Sequence, residues 1–431
     1  MRLLLALLLS AAPVSAQVPP AASAAAAPRP ITLAEAYALA LKRSEALAQS
    51  QEAVKEALAR VDELKSDVMP HFGFIANHTF QENPHSGISS IDKTSIPNYY
   101  LQATQPIFSG FREFLAFKSG RKTAESLQLT EKRAESLLYR DVAQAYFNVQ
   151  QVQSDIQVRG EVLKATADRI AQLEHWVGIG RSRGSEVLAA RSLLAQTQAQ
   201  VELSNGSERV AQEVLRFLTG LDTDLAPQPV PPPVLQPLEP FLAAAGARDD
   251  VQASERALEA ARLNTSVVAR QRWGSLGVTG DYYLKRLGFS GNTHYDAIFG
   301  LTVPIWDGGV ISAQTREAKA RERSSEQAVS AAKRAAQRDA RSAYMNLQWA
   351  LSAMNALEKA DELAAENVKA QEHDYKLSLV TNLEVLDSLN TMQTTRLQLD
   401  AARNQAAFAR AQLEVAAGGP QRPAYQEEPK P

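Results

Sequence analysis

Hydrophobic residues recur every three or four positions through two long stretches of the chain, 111–177 and 310–378, which contain no proline. This spacing places the apolar side chains along one face of an α-helix. In the second stretch that face consists of Tyr344, Leu347, Leu351, Met354, Leu357 and Ala360. At 1.5 Å per residue each helix would be about 100 Å long. A short break follows, 178–184 or 379–382, and then a shorter helical pattern, which predicts a returning partner for each long helix.

Ahead of each long stretch, apolar and polar residues alternate with a period of two, which predicts β-strands. We predict four strands, over about 71–82, 97–106, 275–284 and 294–304. In each strand the apolar side chains share one face. These side chains are Phe72, Phe74, Phe80, Leu101, Ala103, Leu276, Val278, Tyr282, Tyr295, Ala297, Phe299, Leu301 and Val303. The predicted fold is therefore mainly α with a small β part.

The two halves of the chain superpose under one shift of 198 positions. QPIFSG at 105–110 becomes VPIWDG at 303–308, and the motifs Ala145-Tyr146 and Glu186-Val187-Leu188 find their copies under the same shift. Matches in a single register indicate a tandem duplication. The duplicated unit consists of a helix, two strands, a long helix and a shorter helix.

The composition around the repeats sets the domain boundaries. Arg2 precedes a short apolar run and small residues at 14–16, which is typical of a secretory signal peptide; a buried N-terminal helix is the alternative interpretation. The Ala/Pro-rich stretch that follows and the C-terminal residues are expected to be disordered. The segments are a signal peptide at 1–16, a leader at 17–30, the first structural repeat at 31–225, a proline-rich linker at 226–240, the second repeat at 241–419 and a tail at 420–431.

Each repeat uses its PIFSG or PIWDG motif as a junction between the second strand and the long helix. Proline lacks an N–H and is expected to end the strand, and Ser109 or Asp307 is expected to cap the helix. The junction residues are Pro106, Gly110, Pro304 and Gly308. The first repeat opens at Thr32, where Thr-Leu-Ala-Glu fits a capping box and predicts one helix to about Met69.

The composition removes several classes of chemistry. Cysteine is absent, which excludes disulfides, thiolate catalysis, thiolate metal sites and a lipid attached to an N-terminal cysteine. The histidines form no helical metal pair, and the glycines at 178–184 follow a helix and lack the ending of a phosphate loop. With a net charge of −2, nucleic acid is not an expected partner. We expect no catalytic residue, no metal and no cofactor.

Four strands cannot enclose a pore by themselves. Beyond the signal peptide no apolar run approaches ~18 residues, so a membrane form would have to be a β-barrel. A membrane barrel needs about eight strands. Two copies of the chain would give a barrel filled by its own side chains, whereas three would give twelve strands and a lumen. The long helices also need neighbours for their apolar stripes, so the sequence predicts that several copies combine.

In combination, these motifs resemble the TolC-like outer-membrane efflux protein family. The resemblance covers about 31–419 and rests on PIFSG/PIWDG, on the duplicated Glu-Val-Leu, and on the opening ITLAEAYALAL. It implies a homotrimer with a twelve-stranded β-barrel in the outer membrane of a Gram-negative bacterium, continued by a long α-helical periplasmic tunnel. It also implies a passive conduit for drugs, toxic small molecules or secreted polypeptides, in a tripartite efflux or type I secretion system. The implied partners are outer-membrane lipid, a periplasmic adaptor (membrane fusion) protein and an inner-membrane transporter.

The resemblance further implies an acidic ring at the periplasmic aperture of the tunnel. The matching residues are Glu384 and Asp387, three apart and therefore able to share a helix face. Three chains would bring six carboxylates together, favour cations, and raise the pKa of some of the carboxyl groups. The alternative is an ordinary solvated helix surface.

The closed state of the family is held by polar links between its two helical hairpins. By position these links would come from Tyr375, Glu186 and Ser185, but Val380 stands where the best-known member has arginine. Arg181 or Arg183 could substitute for it; the alternative is that both lie at the outer tip and face solvent or the adaptor. The turns that would contact the adaptor contain Gly180, Arg181, Ser182, Arg183, Ser378 and Leu379.

Two other classes of function compete with a conduit. An exported coiled-coil spacer would explain the helices but does not need the alternation at 71–80 and 295–303. A periplasmic enzyme on a helical scaffold would need a catalytic constellation, and the sequence offers none to name. Extraction by salt without detergent would favour the spacer.

Overall fold

The computed structural model describes residues 28–82, 94–287 and 292–419. The signal peptide, most of the leader and the tail at 420–431 lie outside these ranges. The first half contains β1 (Arg29–Ile31), α1 (Leu33–Arg43), α2 (Glu45–Ser66), β2 (His71–Phe80), β3 (Ser95–Phe108), α3 (Arg112–Gly178) and α4 (Gly184–Thr219). The second contains β4 (Leu225–Pro227), α5 (Glu239–Gly246), α6 (Asp249–Ala269), a 3₁₀ turn (Arg270–Trp273), β5 (Ser275–Arg286), β6 (Tyr295–Thr302), α7 (Val310–Lys376) and α8 (Asn382–Ala416).

The predicted opening helix is interrupted. It breaks at Ser44, whose backbone is extended and whose hydroxyl accepts a hydrogen bond from the Leu47 N–H at 3.3 Å, so a second helix begins there. Only one of the two hydrogen bonds of the capping box predicted at Thr32 is present. Thr32 Oγ1 accepts from the Glu35 N–H at 3.2 Å, while the Glu35 carboxylate accepts from Arg29 at 2.8 Å.

The four long strands form one antiparallel sheet in the order β2-β3-β5-β6. Directly paired residues lie on the same face, and the register aligns Phe74, Leu101, Tyr282 and Tyr295 in one row across the sheet. The apolar residues that the alternation assigned to one face of each strand are therefore combined into one face of the sheet.

Proline does not end β3, contrary to the prediction for Pro106. The strand continues to Phe108, and Pro106 pairs opposite Gly277 beside a register shift. An irregular ladder of this kind tolerates a residue without an N–H. In the second repeat β6 ends at Thr302, two residues before Pro304.

A second, two-stranded sheet was missed by the sequence patterns. β1 pairs in parallel with β4, so the end of the predicted leader and the start of the predicted linker are ordered against each other. Three-residue strands are too short to show an alternation. Their position is fixed by Tyr146, fully buried in α3, whose hydroxyl lies 3.0 Å from the Ile31 carbonyl and 2.8 Å from the Gln228 carbonyl.

The helices lie in two rows. We call α2, α3, α6 and α7 the upper row and α4, α3, α8 and α7 the lower row, in the order in which neighbours contact each other. The long helices α3 and α7 belong to both rows. Apolar clusters lie between the helices near the middle of the molecule and again near the far end of the lower row. In the described ranges, no helix is both long enough and apolar enough to cross a membrane.

Candidate functional site

The far ends of the two helical hairpins form a compact polar site, which we call the tip. It consists of the turn 179–183 between α3 and α4, the turn 377–381 between α7 and α8, and the helix ends beside them. Arg181 joins the two turns, since its Nη2 donates to the Lys376 carbonyl at 2.7 Å. Gly180 and Ser378 both have positive φ, +72° and +63°, which lets each turn reverse within a few residues.

A hydrogen-bonded triad crosses between the hairpins. Tyr375 Oη donates to Glu186 Oε2 at 2.7 Å, and Ser182 Oγ donates to the same oxygen at 2.7 Å. Burial raises the pKa of Tyr375, and the bond to Glu186 raises it further, so the phenol remains a donor at neutral pH. Ser185, the serine predicted from position, lies exposed on α4. It directly precedes Glu186 and therefore projects from another side of the helix, whereas Ser182 precedes it by four residues.

Arg169 is a tip residue that sequence reasoning missed. Its side chain is 6% exposed, its Nε donates to Asn382 Oδ1 at 3.0 Å, and its guanidinium lies 4.0 Å from the centroid of the Tyr375 ring. It also lies 5.5 Å from the ring of Trp176. Arg169 stands three residues after Thr166 and four before Leu173, both fully buried, so a charge inside the helix seam was the available indication.

Glu384 and Asp387 are both exposed on the first turns of α8. Glu384 is engaged by its own helix end, because its Oε2 accepts from the Thr381 N–H at 2.6 Å and from Thr381 Oγ1 at 2.9 Å. With the Thr381 side chain this forms a capping box. The backbone hydrogen bond, followed by the hydroxyl bond, lowers the pKa of Glu384. Within one chain the pKa of Glu384 is therefore lowered, whereas a ring of carboxylates was expected to raise the pKa of some of its members.

The outermost surface of the tip is aliphatic. Ile179, Leu377, Leu379 and Leu383 are all more than half exposed. Arg183 precedes α4 without capping it through its side chain, and Val380 is half-buried. The predicted contact turns thus combine exposed leucine and isoleucine side chains with Arg181 and Arg183.

The two junctions differ in their caps. Asp307 Oδ1 accepts from the Gly309 N–H at 2.9 Å and Oδ2 from the Ile311 N–H at 2.7 Å, as a helix cap does. Ser109, predicted to cap α3, instead donates its hydroxyl to the Glu113 carboxylate.

Gly110 and Gly308 have φ of +73° and +65°, which glycine adopts without strain. At Gly110 an added Cβ would also lie 3.0 Å from the Arg270 carbonyl oxygen.

The faces of the four-stranded sheet have opposite polarity. One face exposes Phe72, Phe74, Tyr295, Phe299 and Leu301. On the other, Gln102 Nε2 donates to Asp281 Oδ1 at 3.0 Å, and Asp296 accepts from Tyr283 at 3.1 Å. Such a sheet is suited to separate an apolar medium from water. Across the part of the chain that the structure describes, no three His, Asp or Glu side chains form a group that could hold a metal.

Comparison with known proteins identifies the chain's relatives. The family model of the outer membrane efflux protein matches residues 36–221 and 243–419, on either side of the predicted linker. The chain is 24% identical over 379 residues to Outer membrane protein TolC of Escherichia coli (strain K12), covering 80% of this chain and 74% of that protein.

Solved structures share the fold. CusC, a protein studied for its folding and transmembrane channel formation, matches with a TM-score of 0.81 at 21% identity, over 90% of this chain and 92% of that one. The outer membrane protein VceC of Vibrio cholerae matches with a TM-score of 0.78 at 16% identity, over 90% and 96%.

The family match covers most of both repeats and confirms the resemblance drawn from the motifs. The family is one of transport proteins, and its members are outer-membrane proteins. The chain therefore belongs to the outer membrane efflux protein family and serves as an outer-membrane conduit for efflux.

Proposed function

We propose that three copies of the chain close into a twelve-stranded barrel continued by a helical periplasmic tunnel, and that this assembly is a passive conduit. The proposal rests on the observation that the four-stranded sheet and both rows of helices each end in two uncovered edges. In the described residues the sheet ends at β2 and β6, the upper row at α2 and α7, and the lower row at α4 and α7. One side of the chain is thus β2, α2 and α4, and the other is β6 and α7, so copies can join side to side.

The two uncovered edges of the lower row, α4 and α7, expose apolar side chains at the same distances from the tip. Val210 and Val214 on α4 are exposed, as are Trp349 and Met345 on α7. Val210 lies 26 residues beyond Gly184 and Trp349 lies 27 residues before Lys376. At 1.5 Å per residue both are about 40 Å from the tip. Val214 and Met345 are matched in the same way one turn higher.

Three copies fit the sheet better than two. Eight strands make a barrel filled by its own side chains, whereas twelve leave a lumen that the polar face, with Gln102 and Asp281, can line. The apolar face would then contact outer-membrane lipid. Since the chain has no cysteine, we propose that the barrel anchors it without a lipid.

The tip is the proposed closure of the tunnel. Glu384 and Asp387 would face the axis as a cation-favouring ring, and the Tyr375–Glu186 bond would hold the hairpins together. The exposed turns at Gly180–Arg183 and Ser378–Leu379 would receive a periplasmic adaptor that connects the conduit to an inner-membrane transporter. The cargo would be drugs, toxic small molecules or secreted polypeptides, selected mainly by the transporter.

Cross-linking tests the assembly directly because the natural chain has no cysteine. Val210→Cys combined with Trp349→Cys should give oxidised species up to a trimer on a denaturing gel, from protein extracted with detergent. Leu203→Cys with Trp349→Cys is the matched control, since Leu203 is equally exposed but lies about 10 Å lower on α4. A ladder that stops at the dimer, or a chain that stays monomeric and is extracted by salt alone, would contradict the proposal and favour a spacer.

The proposed aperture has a separate test. Glu384→Ala with Asp387→Ala should reduce cation selectivity and raise single-channel conductance in planar bilayers, because the carboxylates leave the narrowest ring. Unchanged values of both would remove these residues from the aperture and leave the assembly intact.

A further inference from the structure

Arg169 is buried at the tip without a carboxylate partner. Arg169 is 6% exposed, and among the described residues its guanidinium takes part in no ion pair. An unpaired buried cation is costly to keep, so its remaining contacts need an explanation. Those contacts are two aromatic rings and one amide oxygen.

The contacts of Arg169 reach every helix of the tip. The residue itself belongs to α3, its guanidinium covers the Tyr375 ring on α7, and its Nε binds Asn382 on α8. Asn382 is 1% exposed, and its Nδ2 donates to the Glu186 carbonyl on α4 at 3.5 Å. One side chain therefore connects the α3/α4 hairpin to the α7/α8 hairpin inside a single chain.

Arg169 does not form all the hydrogen bonds that its guanidinium can donate. Arg169 Nη2 has no hydrogen-bond partner among the described groups. Burial lowers the pKa of the guanidinium, and the electrostatic influence of Tyr375, Glu372 and Glu186 offsets part of this effect. Separating the hairpins would break the contact with Tyr375, but it would also let water reach Nη2. The gain in hydration offsets part of the lost contact, which brings the two states closer in free energy.

We propose that Arg169 is the positioning residue that holds the tip of each chain closed, through its cation–π contact with Tyr375 and its hydrogen bond to Asn382. This inference rests on the proposed conduit and assigns it a closure made within one chain, by a buried cation. Val380 stands where the best-known family member has its closing arginine, and in this inference Arg169 on α3 takes that role, rather than Arg181 or Arg183. Because the contact is buried, it is screened little by salt, unlike an exposed ion pair.

Single-channel recording of the full-length protein in planar bilayers tests this role. Arg169→Gln should raise the fraction of time in the high-conductance state by about fivefold to thirtyfold, the range for loss of a cation–π contact. Arg169→Lys keeps the charge but not the planar guanidinium, and it should lie between Arg169→Gln and the natural protein. The matched control is Arg410→Gln, which removes an arginine 5.5 Å from the Phe241 ring, far from the tip, and should leave the open fraction unchanged.

Combining substitutions at Arg169 and Tyr375 tests the contact between them more directly than either substitution alone. Tyr375→Leu should raise the open fraction at least as much, since it also removes the hydrogen bond to Glu186. Adding Arg169→Gln to it should raise the open fraction by a smaller factor than Arg169→Gln does alone, because the cation–π contact is already lost. Independent, multiplying effects would overturn the inference. Tyr375→Leu alone, compared with Tyr375→Phe, tests the ring contact should Arg169→Gln fail to assemble; equal open fractions of the two would overturn it as well.

Salt distinguishes the inference from an exposed latch. After scaling for the conductivity of the electrolyte, the closed fraction of the natural protein should not change between about 0.1 M and about 1 M salt. Opening at high salt would contradict a buried closure. If the natural protein forms no channels at all, the proposed conduit fails; if it forms closed channels that Arg169→Gln does not open, only the role of Arg169 fails.

Discussion

Glu186 and Glu384 occupy the same position in the two repeats, 198 residues apart and third from the start of the returning helix. Their carboxylates nevertheless serve different purposes. Glu384 accepts from the backbone and hydroxyl of Thr381 and closes its own helix end. Glu186 accepts from Ser182 and from Tyr375 of the other hairpin. One glutamate stabilises its own helix, and the other joins two hairpins.

The residue before each helix explains the difference. Thr381 has a hydroxyl that accepts from a helix amide, so Glu384 can complete a capping box. Arg183, its equivalent, has no acceptor and makes no side-chain cap. The Glu186 carboxylate is thus free to bind other donors. A duplicated backbone therefore keeps its geometry while a change at one capping position redirects the neighbouring side chain.

The largest difference in stability loss between equivalent positions of the two repeats is expected at Tyr146 and Tyr344. Tyr146 is fully buried and bonded to the β1/β4 region, and burial raises its pKa to about 12, whereas Tyr344 is partly buried beside a second cluster. Tyr146→Ala should cost about 3–5 kcal/mol of unfolding free energy. Tyr344→Ala should cost clearly less. Thermal unfolding of detergent-solubilised protein, followed by circular dichroism, measures both.

The phenol itself can be separated from the ring at these positions. Tyr146→Phe removes the hydroxyl that the Gln228 carbonyl accepts from, while the Ile31 carbonyl keeps the Gln228 N–H at 3.0 Å. It should therefore lower the unfolding midpoint, while Tyr344→Phe should not. Equal losses in the two phenylalanine variants would mean that the small sheet is not fixed by Tyr146.

Replacing glycine by alanine should give the next largest change in stability, and the sign of this change depends on the backbone conformation at each glycine. Gly309 has φ +86° just before α7, so Gly309→Ala should cost about 1–2 kcal/mol, although an added Cβ meets no neighbour. Gly160 lies inside α3, where an added Cβ also meets nothing, so Gly160→Ala should stabilise by about 0.5–1 kcal/mol. The same substitution is thus expected to shift the thermal midpoint in opposite directions, and a loss of stability at both sites would refute the backbone explanation.

Helix periodicity and strand alternation predicted the long elements, because each depends on a repeating local pattern. The bounds of α3 and α7 differ by the shift of 198 that the PIFSG and PIWDG motifs gave. The break at Ser44 and the β1/β4 pair were missed, since a single cap and two three-residue strands leave no periodic trace. Pro106 was assigned the end of a strand because a propensity rule ignores the register shift that accommodates it.

The contacts between side chains at the tip could not be predicted from local sequence patterns. The Tyr375–Glu186 pair came from a family resemblance, while Arg169 and Asn382 are 213 residues apart and meet only after both hairpins have formed. Sequence spacing cannot show that an arginine in an apolar seam faces two aromatic rings.

A smaller effect is expected at the helix caps of the two junctions. Asp307→Ala removes the acceptor of two backbone N–H groups at the start of α7 and should lower the thermal midpoint by roughly 1–2 °C. Ser109→Ala should lower it less, because Ser109 donates to the Glu113 side chain and caps no backbone amide of α3 through its side chain. A larger loss at Ser109 would reverse the comparison between the junctions.

The smallest effect concerns Glu384 and appears only in acid. Its folded pKa lies below the ordinary value of 4.5, so the stability it contributes is complete above that value and is lost as the pH falls through the lower folded pKa. Hydrogen exchange of the first turn of α8 should therefore be slower in the natural protein than in Glu384→Gln at neutral pH, by a few-fold, and the difference should vanish in acid. Glu366→Gln, an exposed glutamate within α7, is the control and should leave that turn unchanged. If the difference persisted in acid, the Thr381 cap would not depend on the ionised carboxylate, and the contrast between Glu384 and Glu186 would rest on geometry alone.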